Sequence, residues 1–246
     1  MDVWEALYTT RAMRRVRADP IPLAVQERIL DAAVRAPSGG NTQDWRFLLV
    51  DDPAVKARLA PLYADSIRQL WETAYRARIE AARANPSDPA SVSFLKVQAS
   101  AQWLADHFAD VPLYLFAFSH DSSGGSIFPA VWSAQLAARA QGVGSALTSV
   151  LGHFHPAETL EILGVPEGKG WQMACCVSFG YPTGRWDVAP RRAAHEVAYR
   201  NTWGADPGLA AAGPLWPPAE RSARPCSCPA SASRRRNEMS SPKKQW

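Results

Sequence analysis

The stretch Ala36-Pro37-Ser38-Gly39-Gly40-Asn41-Thr42-Gln43-Asp44-Trp45 constrains this chain more than any other. The helical spacing before it (Val25, Ile29, Ala32, Ala33) stops at Pro37, and Phe47-Leu48-Leu49-Val50 after it reads as a buried strand. Ordinary connections use about 4–6 residues of turn punctuation. This one holds Pro, Ser, two Gly, Asn, Gln and Trp. Gly39 and Gly40 accept positive φ and let backbone approach a ligand with no Cβ in the way. Ser38, Asn41 and Gln43 add hydrogen-bonding groups suited to the edge of a flat polar heterocycle.

A second polar cluster, Thr10-Arg11-Ala12-Met13-Arg14-Arg15, lies near the N-terminus. Arg11 and Arg14 are three apart and share a face. Alone, such a pair reads as a solvated basic surface. Guanidinium forks also match phosphate oxygens. With the glycine loop following, the two segments point to a bound phosphorylated heterocycle.

These residues resemble the FMN-dependent nitroreductase family. Thr10 to Val16 is similar to its R-S-x-R-x-F opening, and Ala36 to Phe47 to its A-P-S-x-x-N-x-Q-P-W-x-F loop. Gly142-Val143-Gly144-Ser145 resembles the family's G-x-G-S stretch, and Pro190-Arg191-Arg192 to Val197 its P-R-R-x-x-x-E-V element. The likeness ends near Gly204. It implies FMN as cofactor, with Arg11, Ala12 and Arg14 on the phosphate and ribityl chain. It implies Pro37, Ser38, Gly39 and Asn41 on the ring, reached from the partner subunit of a homodimer with FMN at the interface. It places Gly144 and Ser145 against the flavin, and Arg192 (Arg191 as the alternative) on the phosphate. Three departures stand out: Ala12 for Ser, Asp44 for Pro, and Trp132-Ser133 for Gln-Asn near the cavity.

Periodicity along the chain predicts an α+β fold: a mixed, mostly antiparallel sheet covered by helices. A short helix carries Val3, Trp4, Leu7 and Tyr8. Asp52-Pro53 opens a long helical stretch, with Pro61 expected to split it. Phe94 to Phe108 reads as an amphipathic helix, and Val111 to Phe118 as the strongest strand. An alanine-rich helix follows from Ile127, and strands are expected at Leu147–Leu151 and Gln172–Phe179.

Charge divides the chain. Seven of the 27 Lys/Arg and three of the 23 Asp/Glu lie in residues 205–246, so the first 204 residues hold 20 of each and are neutral. The tail also holds 7 of the 20 prolines. Residues 1–204 therefore read as one domain and 205–246 as a disordered tail. The basic pI belongs to that tail and gives the folded part no reason to bind nucleic acid. No apolar run reaches the roughly 18 residues of a membrane span. The N-terminus lacks a signal-peptide core, so a cytoplasmic location is expected. Cys175 and Cys176 read as small hydrophobes in a strand. Cys226 and Cys228 lack a second ligand pair, and no metal site is expected.

No nucleophile elbow or Walker lysine occurs. His153 and His155 lack a matching carboxylate. The expected activity is therefore carried by the flavin, not by catalytic side chains. It is ping-pong transfer of electrons from a reduced nicotinamide to small flat acceptors such as nitroaromatics or quinones. Alternatives are an FMN-sequestering protein, a reduced-flavin/O2 enzyme of the same fold group, and an adaptor acting through Arg234-Arg235-Arg236.

Overall fold

The computed structural model describes residues 1–217. The expectations on Cys226, Cys228 and Arg234-Arg235-Arg236 lie outside them. Four strands, β1 (Trp45–Val50), β2 (Leu113–Ser119), β3 (Gly144–Thr148) and β4 (Gln172–Gly180), form one sheet in the order β1-β2-β4-β3. Every neighbouring pair is antiparallel. The parallel element is an isolated bridge, Ala12 to Ser145, on the free edge of β3.

Strand alternation sorts the core into two layers. Leu113, Leu115, Ala117, Cys175, Val177 and Phe179 face one cluster. It is closed by α2 (Leu23–Val34) and α6 (Ile127–Ala140). Ala130, Ala134 and Ala138 on α6 are fully buried, and their small side chains let α2 bring Ile29 and Ala33 close. Tyr114, Phe116, Phe118 and Cys176 face the other cluster. There, α3 (Pro53–Glu72), α7 (Val150–Phe154) and α8 (Pro156–Ile162) cover the sheet, with α5 (Pro89–Asp106). Helix α4 (Arg76–Ala84) packs on α5 through a small cluster of Ile79, Ala82 and Phe94. Helix α1 (Val3–Thr9) lies along α6.

Two details differ from the sequence reading. Pro61 does not split α3, which runs unbroken from Pro53 to Glu72. Asp52 caps it, accepting from the Ala54 N–H at 2.7 Å. Pro61 is exposed, while the buried stripe Leu59, Tyr63 and Ile67 continues past it, so packing holds the helix across one missing hydrogen bond. The break falls at Thr73–Tyr75 instead. The third strand begins at Gly144, three residues before the expected start; Gly144 weakened the strand signal.

Two glycines fix where the arginine segment lies. A Cβ on Gly144 would stand 2.8 Å from Met13 Cβ, and one on Gly180 would stand 2.6 Å from Val16 Cβ. Neither glycine can be replaced without moving residues 12–16 off the sheet. The Met13 N–H donates to the Ser145 carbonyl at 2.8 Å.

Beyond β4 the chain folds back over α1. Arg11 donates to the Arg185 carbonyl at 2.9 Å. The Arg139 guanidinium sits 4.2 Å from the Trp186 ring centre. Within the tail expected to be disordered, residues 205–217 make contacts. The Arg200 guanidinium donates to the Pro207 carbonyl at 2.7 Å, and Trp216 lies 5.9 Å from Tyr8, ring centre to ring centre.

Candidate functional site

The arginine segment and helix α5 enclose an open recess of about 540 Å³. Arg11, Ala12, Arg14 and Arg15 line it from one side, Lys96 and Ser100 from α5, and Thr183 and Gly184 from the chain after β4. No carboxylate lines it. Arg11 also contacts Asp187 at 3.5 Å. Among the described residues Arg14 and Lys96 make no hydrogen bond or ion pair. Arg14 is partly buried, and burial pulls its guanidinium below the ordinary range, though an arginine stays charged at neutral pH. A desolvated cation without a counter-charge is costly unless an anion arrives to pair with it.

Arg14 also borders an aromatic cavity of about 400 Å³ between α3, α4, α5 and β3. Tyr63, Trp71, Tyr75 and Phe94 wall it, Thr148 lines its β3 side, and Arg78 of α4 lines it as well. No Asp or Glu lines this space either. Burial pushes the Tyr63 hydroxyl up to about 12, so it is a neutral phenol at pH 7. The Trp71 indole N–H is buried and has no acceptor among the described residues. An orphaned donor of this kind costs about 1–3 kcal/mol.

The glycine loop is preformed at the opposite end of the sheet. Gly40 (φ +58°), Asn41 (+55°) and Gln43 (+50°) are left-handed. The Ser38 hydroxyl accepts from the Gln43 N–H at 3.1 Å, and the Ser126 hydroxyl at the start of α6 accepts from the Gly39 N–H at 3.2 Å. Pro37, Gly39 and Asn41 are exposed. This loop enters β1 at Trp45, opposite Ser119, whereas the arginine recess sits by Gly144 and Gly180. The nine residues of β4 run roughly 26 Å between these ends. One protomer therefore does not bring Arg11 and Arg14 together with Pro37, Ser38, Gly39 and Asn41.

A match to the nitroreductase family model covers residues 7–181, from α1 to the residue after β4. The chain belongs to the nitroreductase family. It is 30% identical over 193 residues to the 5,6-dimethylbenzimidazole synthase of Rhodobacter capsulatus, covering 72% of this chain and 82% of that protein. A 59-residue segment is 46% identical to an NADH dehydrogenase of Thermus thermophilus, covering 24% of this chain but only 29% of that protein. The fold matches an oxidised iodotyrosine deiodinase bound to FMN and 3-iodo-L-tyrosine, with a TM-score of 0.63 at 22% identity over 82% of this chain and all of that one. It also matches an FMN-dependent nitroreductase from Mycobacterium smegmatis in complex with NADPH, with a TM-score of 0.57 at 21% identity. That match covers 79% of this chain and 95% of the other.

In this nitroreductase-family chain the remaining expected residues fall as follows. Gly144 and Ser145 are buried in the sheet edge, where the Ser145 hydroxyl accepts from Gln135 Nε2 at 3.1 Å. Leu147 and Thr148, further along β3, are the ones open to the aromatic cavity. Ala12 is exposed at the recess. Arg192 and Arg191 line a separate recess with Tyr8, Thr10 and Trp132, apart from Arg11 and Arg14. His155 Nε2 lies 2.8 Å from Asp65 and ties α8 to α3. Cys175 is buried in β4, which pushes its thiol up to about 12.

Two features escaped the sequence reading. Lys96 is a lone lysine on an amphipathic helix, and no local pattern marks it. His120 follows β2, with Nδ1 2.8 Å from Asp44 Oδ2 and Nε2 donating to the Lys169 carbonyl at 2.7 Å. Both ring nitrogens face acceptors, which favours the imidazolium, and the Asp44 hydrogen bond raises its pKa. The ring stacks on Trp171 at 3.8 Å, and the Arg46 guanidinium lies 4.9 Å from that indole. Asp44, the departure from the family loop, is the signal that could have found this clamp.

Proposed function

We propose that this chain is an FMN-dependent oxidoreductase that passes electrons from a reduced nicotinamide to small flat acceptors. The observation that carries this reading is Arg14: a partly buried guanidinium with no protein counter-charge, at the junction of a cationic recess and an aromatic cavity. FMN offers an anionic phosphate and a flat ring of matching character. The residues present fit it. Arg11, Arg14 and Lys96 would hold the phosphate, with Ser100 and Thr183 hydroxyls beside them. Thr148 and the Trp71 N–H would meet polar edges of the attached group.

When bound, FMN supplies two-electron exchange between nicotinamide and acceptor. The chain's own part is to bind, orient and neutralise. Guanidinium and ammonium groups hold negative charge in a site partly shielded from water. The stiff loop Pro37–Asn41, at the far end of the sheet, would cover the ring of a second copy of the chain. The nitroreductase relative solved with NADPH and the dehydrogenase segment support a nicotinamide donor.

The test is a visible spectrum of the purified protein, reconstituted with FMN, before and after anaerobic NADH or NADPH. The expected result is a flavin band that bleaches on reduction and returns when an acceptor is added. A protein that ignores added FMN overturns the reading, and a band that never bleaches assigns it to flavin storage. The synthase match over 193 residues favours a second reading, in which reduced flavin and O2 enter a different reaction at the same site. Product analysis under air separates the two: intact flavin supports the first, and a benzimidazole product the second.

A further inference from the structure

We propose that the aromatic cavity selects acceptors bearing an aromatic carboxylate, and that Arg78 is the residue that grips it. The inference rests on the flavin reading above and names the class of molecule that enters beside the ring.

Arg14 and Arg78 both line the cavity, and each also borders a different neighbouring space. Arg14 also borders the phosphate recess, and Arg78 does not. Arg78 instead also borders the outer surface formed by α4 and α5 with Asn85 and Asp88. The recess already holds Arg11, Arg14, Arg15 and Lys96, enough cations for one phosphate. A further guanidinium on a different helix is not needed for that group.

Arg78 is held in position by its stack on Phe94, 4.2 Å from the ring centre. Stacking fixes the plane of the guanidinium and leaves its N–H fork free. Among the described residues Arg78 makes no hydrogen bond or ion pair. Of its neighbours, Arg68 pairs with Asp65 and Glu72, and the Arg76 Nε–H donates to the Glu72 carbonyl at 2.9 Å; Arg83, also without a partner among the described residues, does not line this cavity. Arg78 is thus an exposed, ring-stacked and unanswered fork on the lining of a cavity that contains no acid.

The walls set the rest of the ligand. Tyr75 lies 5.9 Å from Phe94 with the planes 26° apart, and Trp71 meets Tyr75 edge-on at 5.5 Å. These rings offer apolar faces to a flat aromatic body. A carboxylate accepts two parallel hydrogen bonds from one guanidinium, so it uses the fork fully. A neutral carboxamide presents one acceptor and no charge.

The experiment titrates the FMN-loaded protein with benzoate and with benzamide, reading the flavin difference spectrum and tryptophan fluorescence. Benzoate is expected to bind on the order of tenfold more tightly, the gain from a charge-assisted hydrogen bond. In R78Q that preference is expected to fall to about twofold or less while FMN stoichiometry stays unchanged. The ratio of kcat/KM for 4-nitrobenzoate over 4-nitrobenzamide is expected to fall in step. Equal binding of benzoate and benzamide in the natural protein overturns the inference. So does a preference that survives R78Q, or FMN loss in R78Q, which would move Arg78 to the phosphate. A protein that takes no FMN at all defeats the flavin reading instead, and the fluorescence titration of the chain alone then still reports on Arg78.

Discussion

Arg14 shows how one side chain can be a liability and an asset. Without an anion it is a partly buried charge with nothing to pair with, so its removal relieves the empty protein. With FMN phosphate in place, the same removal deletes a charge-assisted contact of about 1.5–3 kcal/mol. R14Q is therefore expected to unfold at an equal or higher Tm than the natural chain without FMN, and to bind FMN roughly ten- to a hundredfold more weakly. Thermal melts and flavin fluorescence titration measure the two halves. At His120 the folded pKa is raised, so the clamp on Asp44 is fully formed below the ordinary value of about 6.5 and is lost as pH rises through the raised one. Melting curves of the natural protein and H120Q are expected to converge toward pH 9 and separate toward pH 6. Asp65 runs the other way. Its hydrogen bonds from Arg68, then Gln69 and His155, hold it down to about 2, so their contribution is present above pH 4 and fades as pH falls toward 2. Arg14 was legible because two arginines at fixed spacing preceded a matching loop. Lys96 was not, because the arginines with which it lines the recess lie more than eighty positions away.

At the scale of elements, strand β2 was plain in the sequence because both its faces are buried and its apolar run is unbroken. Strand β3 was displaced because it is short, begins with glycine, and sits at a sheet edge where propensity is weak. The Pro61 error has the same origin: local rules rank proline as a breaker, and the buried stripe on either side of it overrides them. The α2–α6 contact depends on the alanines that fill it. A134L adds three carbons where nothing is exposed, and overpacking of this kind costs about 1–3 kcal/mol. Urea denaturation is expected to show a lower midpoint with an unchanged slope.

For the whole molecule, the sequence singled out two candidate segments, and the family resemblance implied that they meet between subunits; within one protomer the sheet sets them at opposite ends. That separation is a property of the sheet, set by which strand ends lie together. If the two halves meet only between copies, retained FMN depends on assembly. Apolar residues exposed on α1 and α6, Trp4, Leu7, Phe128 and Trp132, would offer surface for such pairing. On serial dilution of the reconstituted protein, FMN release is expected to track the loss of dimer seen by sedimentation. Release at a concentration where the dimer persists would count against a shared site.

Arg11 links the recess to the segment that follows β4, since the same guanidinium meets the Arg185 carbonyl and, more loosely, Asp187. An exposed ion pair at 3.5 Å is worth about 0–1 kcal/mol, and a phosphate oxygen competes well for it. A phosphate that draws Arg11 away would thereby loosen the Arg185–Asp187 segment beside the recess. Trypsin is expected to cut after Arg185 and Arg191 faster once inorganic phosphate fills the recess, turning a simple digestion time course into a gauge of anion entry.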